Sequence, residues 1–268
     1  MKTKNYVSSL VVLLALVTFS GISVYAQDAK QIVDKFNTTM KVSGVEGIAT
    51  LTIVDSKGRE RVRKISQARK LFDNGETEKS ITKFLEPADV KGTGLLTYSY
   101  EKKDDDIWLY LPALRKTRRI VSSEKASSFM GSEFSYADII APDIDDFGYK
   151  LVGTEDIDGA ECWKIEITPN TEDIADENGF SKKIVFIAKK DYVIRKAVYY
   201  DLDDELHKTM TVKSIKKLDE KNQRYVLMHM EMINKQNGRS SSFVFDKVMF
   251  SPNVKDEYFT TTYLERAN

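Results

Sequence analysis

Three residues offer nucleophile and base chemistry: Cys162, the single cysteine, and the two histidines, His207 and His229. A Cys-His dyad needs the thiol within hydrogen-bond reach of the imidazole and a third group to orient the base. No local motif brings either histidine to Cys162. The cysteine stands beside Trp163 in an expected strand and reads as a packed or half-buried thiol. Acidic stretches at 143–146, 172–177 and 201–205 supply oxygen ligands, but none has the Asp-x-Asp-x-Asp-Gly spacing with a distant Glu that a calcium loop uses. They read as solvated turns. A glycosidase-type carboxylate pair would have to be assembled by the fold, and no sequence feature nominates one. The chain is therefore expected to carry no catalytic residue, no metal site and no cofactor, and to be no enzyme.

Binding chemistry is better represented. In 225–234, Val226, Met228, Met230 and Met232 occupy alternate positions. Thioethers are flexible and polarisable, so such a stripe suits a surface that repacks around variable apolar partners; it also describes an ordinary methionine-filled core. Trp163, Ile165 and Ile167 share one parity, as do Leu96, Tyr98 and Tyr100, and Ile184 with Phe186. One sheet face is thus expected to be apolar throughout. With few helices to cover it, a cavity or groove should remain. Phe129, Met130, Phe134 and Tyr136, set among serines and Gly131, are candidates for a movable lid or for a surface loop anchored by its aromatics.

Arg115, Lys116, Arg118 and Arg119 form the one dense basic cluster, with Trp108 and Tyr110 just upstream. Aromatic and basic residues interleave in this way on single-strand nucleic-acid binders, but the export signal and balanced charge described next argue against nucleic acid. Guanidinium groups bind phosphate bidentately, which makes a phosphate headgroup or an acidic partner surface the better binding reading. An edge strand using positive charge against sheet-to-sheet association is the alternative.

The elements that must position these residues begin after a leader. Lys2 and Lys4 precede an apolar core at 10–19, and Val24-Tyr25-Ala26 suits signal peptidase. Residues 1–26 are read as a signal peptide cleaved after Ala26, with an uncleaved anchor as the alternative; no cysteine near the site offers a lipoprotein anchor. The run is shorter than the about 20 residues that span a bilayer. Of 41 basic and 41 acidic residues, removing Lys2 and Lys4 leaves 39 basic, a mature charge of about −2 that implies neither nucleic acid nor an anionic membrane as main partner. Residues 27–268 are expected to form a single domain, without a disulfide.

In that domain, Ile32, Val33, Phe36 and Met40 predict an amphipathic helix over 29–40, with Asp28 as cap and Gly44 beyond its end. From Val45 the period becomes two. Strands are expected at 45–53, 59–71, 77–85, 93–101, 106–111, 115–121, 149–156, 161–168, 182–188, 193–201, 205–217, 223–234 and 240–250. Asp73-Asn74-Gly75, Asp158-Gly159 and Asn237-Gly238 supply hairpin turns. The succession predicts a large antiparallel sheet, and strands longer than ten residues suit strong curvature.

The middle of the chain carries long motifs: PADVKGTGLL from Pro87, DIWLYLPALRKTRRI from Asp106 and SSFMGSEFSYADI from Ser127, followed near the end by VKDEYFT from Val254. In this order they resemble the periplasmic outer-membrane lipoprotein-sorting proteins of the LolA-like superfamily, in a branch of uncharacterised exported proteins, over nearly the whole mature chain. The resemblance implies a mainly β (α+β) fold: a curved antiparallel half-barrel with short helices covering its concave apolar face, including pieces near 136–140 and 258–264. It also implies a periplasmic carrier or chaperone that holds acyl chains of a lipid or lipoprotein in a hydrophobic cavity. Such a carrier moves its cargo between the inner and outer membrane with transient membrane contact, from an inner-membrane ABC or RND-type exporter to an outer-membrane acceptor. Cavity or lid positions would be Leu96, Tyr98, Phe129, Met130, Phe134, Tyr136, Trp163, Ile165, Met228, Met230 and Met232. The PALRKTRR and FMGSEF stretches depart from LolA itself, so none of its receptor contacts carries over. A non-catalytic envelope scaffold or sensor using the same curved sheet is the alternative.

Overall fold

The computed structural model describes residues 21–101, 103–140 and 143–266. Most of the leader read at 1–26 lies outside them. Helix α1 (Gly21–Met40) begins before the expected cleavage point and runs through the predicted helix. Six strands follow: β1 (Gly44–Val54), β2 (Glu60–Phe72), β3 (Thr77–Glu86), β4 (Gly94–Tyr100), β5 (Asp106–Leu111) and β6 (Lys116–Arg119). A long crossover, 120–146, contains α2 (Tyr136–Ile139) and leads to β7 (Phe147–Ile157) and β8 (Ala160–Pro169). After α3 (Glu172–Asn178) come β9 (Lys182–Ala188), β10 (Ile194–Tyr200), β11 (Leu206–Asp219), β12 (Arg224–Asn234) and β13 (Ser240–Phe250). The chain closes with a 3₁₀ turn, Asp256–Phe259, and α4 (Thr261–Leu264).

All thirteen strands join one antiparallel curved sheet in the order β6-β5-β4-β3-β2-β1-β13-β12-β11-β10-β9-β8-β7. Every neighbouring pair is a sequential hairpin except β1 with β13, which pair from Val45 opposite Phe250 to Val54 opposite Ser240. The chain therefore enters the sheet at its middle, meanders to the β6 edge, crosses to the β7 edge and meanders back. The crossover must span the sheet.

The two faces are covered differently. On the inner face, the one that α1 and the crossover cover, one cluster runs continuously from Leu95, Ile107 and Leu109 on the β6 side, through Leu51, Phe243 and Met232, to Val185, Ile165 and Ile167 on the β7 side. Ala29, Ile32 and Val33 of α1 join it, where the helix packs on β7, β9 and β12. On the outer face the C-terminal segment brings Val254, Phe259 and Leu264 onto Ala68, Ile81 and Leu96. Gly94 permits that approach: a Cβ there would stand 2.6 Å from the Leu264 Cδ1 atom. A smaller outer cluster holds Cys162, Phe186 and Ala188.

The acidic stretch 172–177 is a helix rather than a solvated turn. Thr171 caps it by accepting from the Ile174 N–H at 3.3 Å, and Gly179 ends it in the left-handed region. Among the described residues no helix is long and apolar enough to cross a membrane.

Candidate functional site

Register fixes what lines the inner face. Met230 lies opposite Val212 on one side and Phe243 on the other, and Met232 lies between Met210 and Ser241. Met232 is fully buried, while Met228 and Met230 are half-buried against the same cluster. Ile165 and Trp163 extend the lining on β8, with the indole 5.1 Å from the Tyr192 ring.

Leu96 and Tyr98 do not belong to it. In β4 the inner positions are Leu95, opposite Leu109, and Thr97, opposite Ile107. Leu96 and Tyr98 point to the outer face, where the Tyr98 hydroxyl donates to the Phe259 carbonyl and its ring sits 4.9 Å from Trp108. Two adjacent leucines leave strand parity ambiguous, and a one-residue choice exchanges the faces. Nor is the inner face apolar throughout: Gln67, Ser80, Thr82 and Thr97 form a polar strip on β2, β3 and β4.

The crossover lies on this face. Phe129, Phe134 and Tyr136 are buried in the inner cluster, and Met130 packs beside them. The Phe129 ring is 5.9 Å from Phe84 and 5.8 Å from Tyr136. Between Phe129 and Ile139 above and Gln67, Ser80, Thr82, Leu95, Thr97 and Phe243 below, about 30 Å³ remains. That space suits a water or two, far below the roughly 300 Å³ at which small-ligand pockets begin. At this place the trough is occupied by the crossover's own side chains. A wider open groove, about 320 Å³, lies on the outer face between β13, β1, β2 and β3 and the tilted Tyr258–Tyr263 pair.

Polar bonds fasten the filling at one rim. Met130 and Gly131 both adopt positive φ, 52° and 78°, a reversal that glycine accommodates readily. Arg63 of β2 donates to the Met130 carbonyl, and Arg239, in the β12–β13 turn, donates to that of Gly131 at 2.8 Å. Lys208 of β11 donates to the Glu133 carbonyl at 3.3 Å and to the Asp138 carboxylate at 2.7 Å. The Glu133 carboxylate faces Arg239 Nε at 2.9 Å and accepts from Asn234 Nδ2 at 2.9 Å, while its N–H donates to the Ser241 hydroxyl at 2.9 Å.

Asp138 also closes a capping box with Ser135 at the start of α2. It and Lys208 are each about 10% exposed. Burial pushes the Asp138 carboxyl up, but the Lys208 ammonium and the hydrogen bonds to it outweigh that and hold it below the usual value. Burial lowers Lys183, which is half-buried nearby, and raises the Tyr199 hydroxyl well above its ordinary range. Sequence reading missed this cluster, because its members come from six strands, a turn and the crossover, and each looks like an isolated polar residue.

Arg115, Lys116, Arg118 and Arg119 lie at the β6 edge instead. Arg118 pairs with Glu124 at 2.8 Å and Arg119 with Asp106, and β6 pairs along one side alone. Cys162 donates to the Ala160 carbonyl at 3.2 Å, and burial raises its thiol. The ring of His229 meets Ser242 and that of His207 meets Asn234. Among the described residues no group of His, Cys, Asp and Glu could hold a metal ion.

A family model with the description "-like: Uncharacterized protein" matches residues 76–266. No curated protein matches the chain. Among solved structures, a domain provisionally named an outer membrane lipoprotein-sorting protein, from Vibrio parahaemolyticus, is 26% identical with a TM-score of 0.81, covering 90% of this chain and 100% of its own. A DUF1329 family protein from Desulfovibrio piger is 28% identical with a TM-score of 0.82, covering 90% and 99%. A LolA superfamily protein from Nitrosomonas europaea, 17% identical with a TM-score of 0.66 over 88% and 98%, shares the fold. The chain thus belongs to the family that this model describes, and it shares its fold with the LolA superfamily protein.

Proposed function

We propose that the protein is a non-enzymatic carrier of the bacterial periplasm, exported by the leader at 1–26. It takes acyl chains of a lipid or lipoprotein into the inner-face trough and moves them between the inner and outer membrane. An inner-membrane ABC or RND-type exporter would be the donor and an outer-membrane site the acceptor. The observation that carries this reading is the crossover itself: its aromatic side chains occupy the trough as acyl chains would, and the segment that bears them, 129–138, is fastened to the sheet by polar bonds at a rim.

A carrier must release what it binds. Each buried methylene contributes about 0.8 kcal/mol, so long acyl chains in an empty apolar trough would be held too tightly to leave. Exchanging one apolar filling for another removes most of that difference. Trp163, Ile165, Met228, Met230 and Met232 are the lining residues in this reading, and Phe129, Met130, Phe134 and Tyr136 the displaced lid.

The test is native mass spectrometry of protein purified from its own periplasm, followed by organic extraction. Stoichiometric lipid or acylated peptide, reduced in Met228→Glu and Met230→Glu, is the expected result. The small residual space of about 30 Å³ favours a second reading, the envelope scaffold or sensor. An apo mass unchanged after incubation with membrane vesicles would establish that reading and sink the carrier.

A further inference from the structure

The rim cations outnumber the acids that meet them. Arg63, Lys208 and Arg239 converge on the carbonyls of Met130, Glu133 and Gly131. Arg61 approaches the open side of Gly131. Lys183 lies opposite Tyr199 in the next strand and feels the Asp138 carboxylate. Against these five stand Glu133 and Asp138, both on the crossover, with Asp89 of the β3–β4 turn acting on Arg63 from beyond ion-pair distance. Arg63 is buried with its guanidinium 5.9 Å from the Phe84 ring centroid, and no carboxylate lies within ion-pair distance of it among the described residues.

When the crossover leaves the trough, its two carboxylates and three carbonyls leave with it. The cations remain, at the mouth of an apolar channel. Half-buried cations stripped of their partners are costly, so an open trough needs an anion in their place. Guanidinium forks and an ammonium suit phosphate oxygens in particular. We propose that the cargo is a lipid with a phosphate-bearing anionic headgroup, which replaces Glu133, Asp138 and the crossover carbonyls on Arg63, Lys208 and Arg239. The inference rests on the carrier reading and adds the class of its cargo.

The experiment incubates the delipidated protein with vesicles of phosphatidylcholine mixed with phosphatidylglycerol, then extracts and quantifies the lipid it carries away. Phosphatidylglycerol should be enriched over its share in the vesicles, and Arg63→Gln and Lys208→Gln should each cut that enrichment by about tenfold, the usual scale for one charge-assisted bond. Because these variants also loosen the crossover, the ratio of the two lipids is the readout rather than total uptake. Glu133→Gln, which weakens the competing acid, should raise the ratio; this opposite sign decides the matter if a cation variant fails to fold.

Uptake in vesicle proportion, or an enrichment unchanged in both cation variants, overturns the proposal while leaving a carrier. No uptake of either lipid overturns the carrier reading and the inference with it. Titration with inorganic phosphate separates the remaining source: phosphate binding that Arg63→Gln abolishes, without any phosphatidylglycerol enrichment, would assign the cluster to a free anion and overturn the lipid.

Discussion

Asp138 concentrates three tasks in one carboxylate: it caps α2, pairs with Lys208 and faces Tyr199. Its folded value is depressed, so the stability it contributes is present above the ordinary carboxyl value of 3.8 and is lost as pH falls through the lower folded value. Hydrogen exchange across 127–140 should therefore accelerate below about pH 3.8, and Asp138→Asn should remove that acid limb. Lys208→Met leaves the carboxylate buried without its partner and should cost about 3–5 kcal/mol in denaturant unfolding. Asp105 behaves in the opposite sense. Burial raises it to about 6, so the folded state binds the proton more tightly and stability declines as pH rises from about 3.8 to about 6. Asp105→Asn retains an acceptor for the Tyr100 N–H, should be more stable than the parent at pH 7 by urea midpoint, and should lack the decline. Neither residue announces itself in the sequence. Asp138 and Lys208 are 70 positions apart, and Asp105 looks like part of an ordinary acidic turn.

Strands were largely legible because their determinants are local. Alternation and turn residues place all thirteen within a few residues, from β1 through the β12–β13 hairpin at Asn237-Gly238. Which face a strand shows the core was legible where one parity is clearly apolar, as in Met228, Met230 and Met232. It was ambiguous at Leu95-Leu96, where both faces are buried against different covers. The outer cover was the missing information: the C-terminal 3₁₀ turn and α4 could be expected as helical pieces, but not the sheet face they protect. Phe259, almost fully buried there and 5.7 Å from Phe72, belongs to structure rather than to cargo. Phe259→Ala should cost about 3–5 kcal/mol in thermal or chemical unfolding, and the protein that remains folded should carry the same lipid as the parent.

At the scale of the molecule, the long central motifs rather than the periodicity gave the architecture, and they could not show that the crossover fills the trough. That filling makes a global prediction. Lipid uptake should raise hydrogen exchange in 127–140 and leave the outer-face segment 254–266 unchanged; protection of both segments, or of neither, would mean that the crossover is fixed structure. The strand order has a consequence of another kind. Each half of the sheet, β1 to β6 and β7 to β13, is a chain of sequential hairpins that can form from local contacts, whereas the seam between β1 and β13 joins Val45 to Phe250. Non-local pairing of this sort is slow because loop closure precedes any gain from contacts. A chain made from its N-terminus must therefore hold β1 as a bare strand edge until the last strand, β13, has emerged. The inner edge of each half-sheet is then the place where a newly made molecule is open to pairing with another copy or to capture by a folding helper.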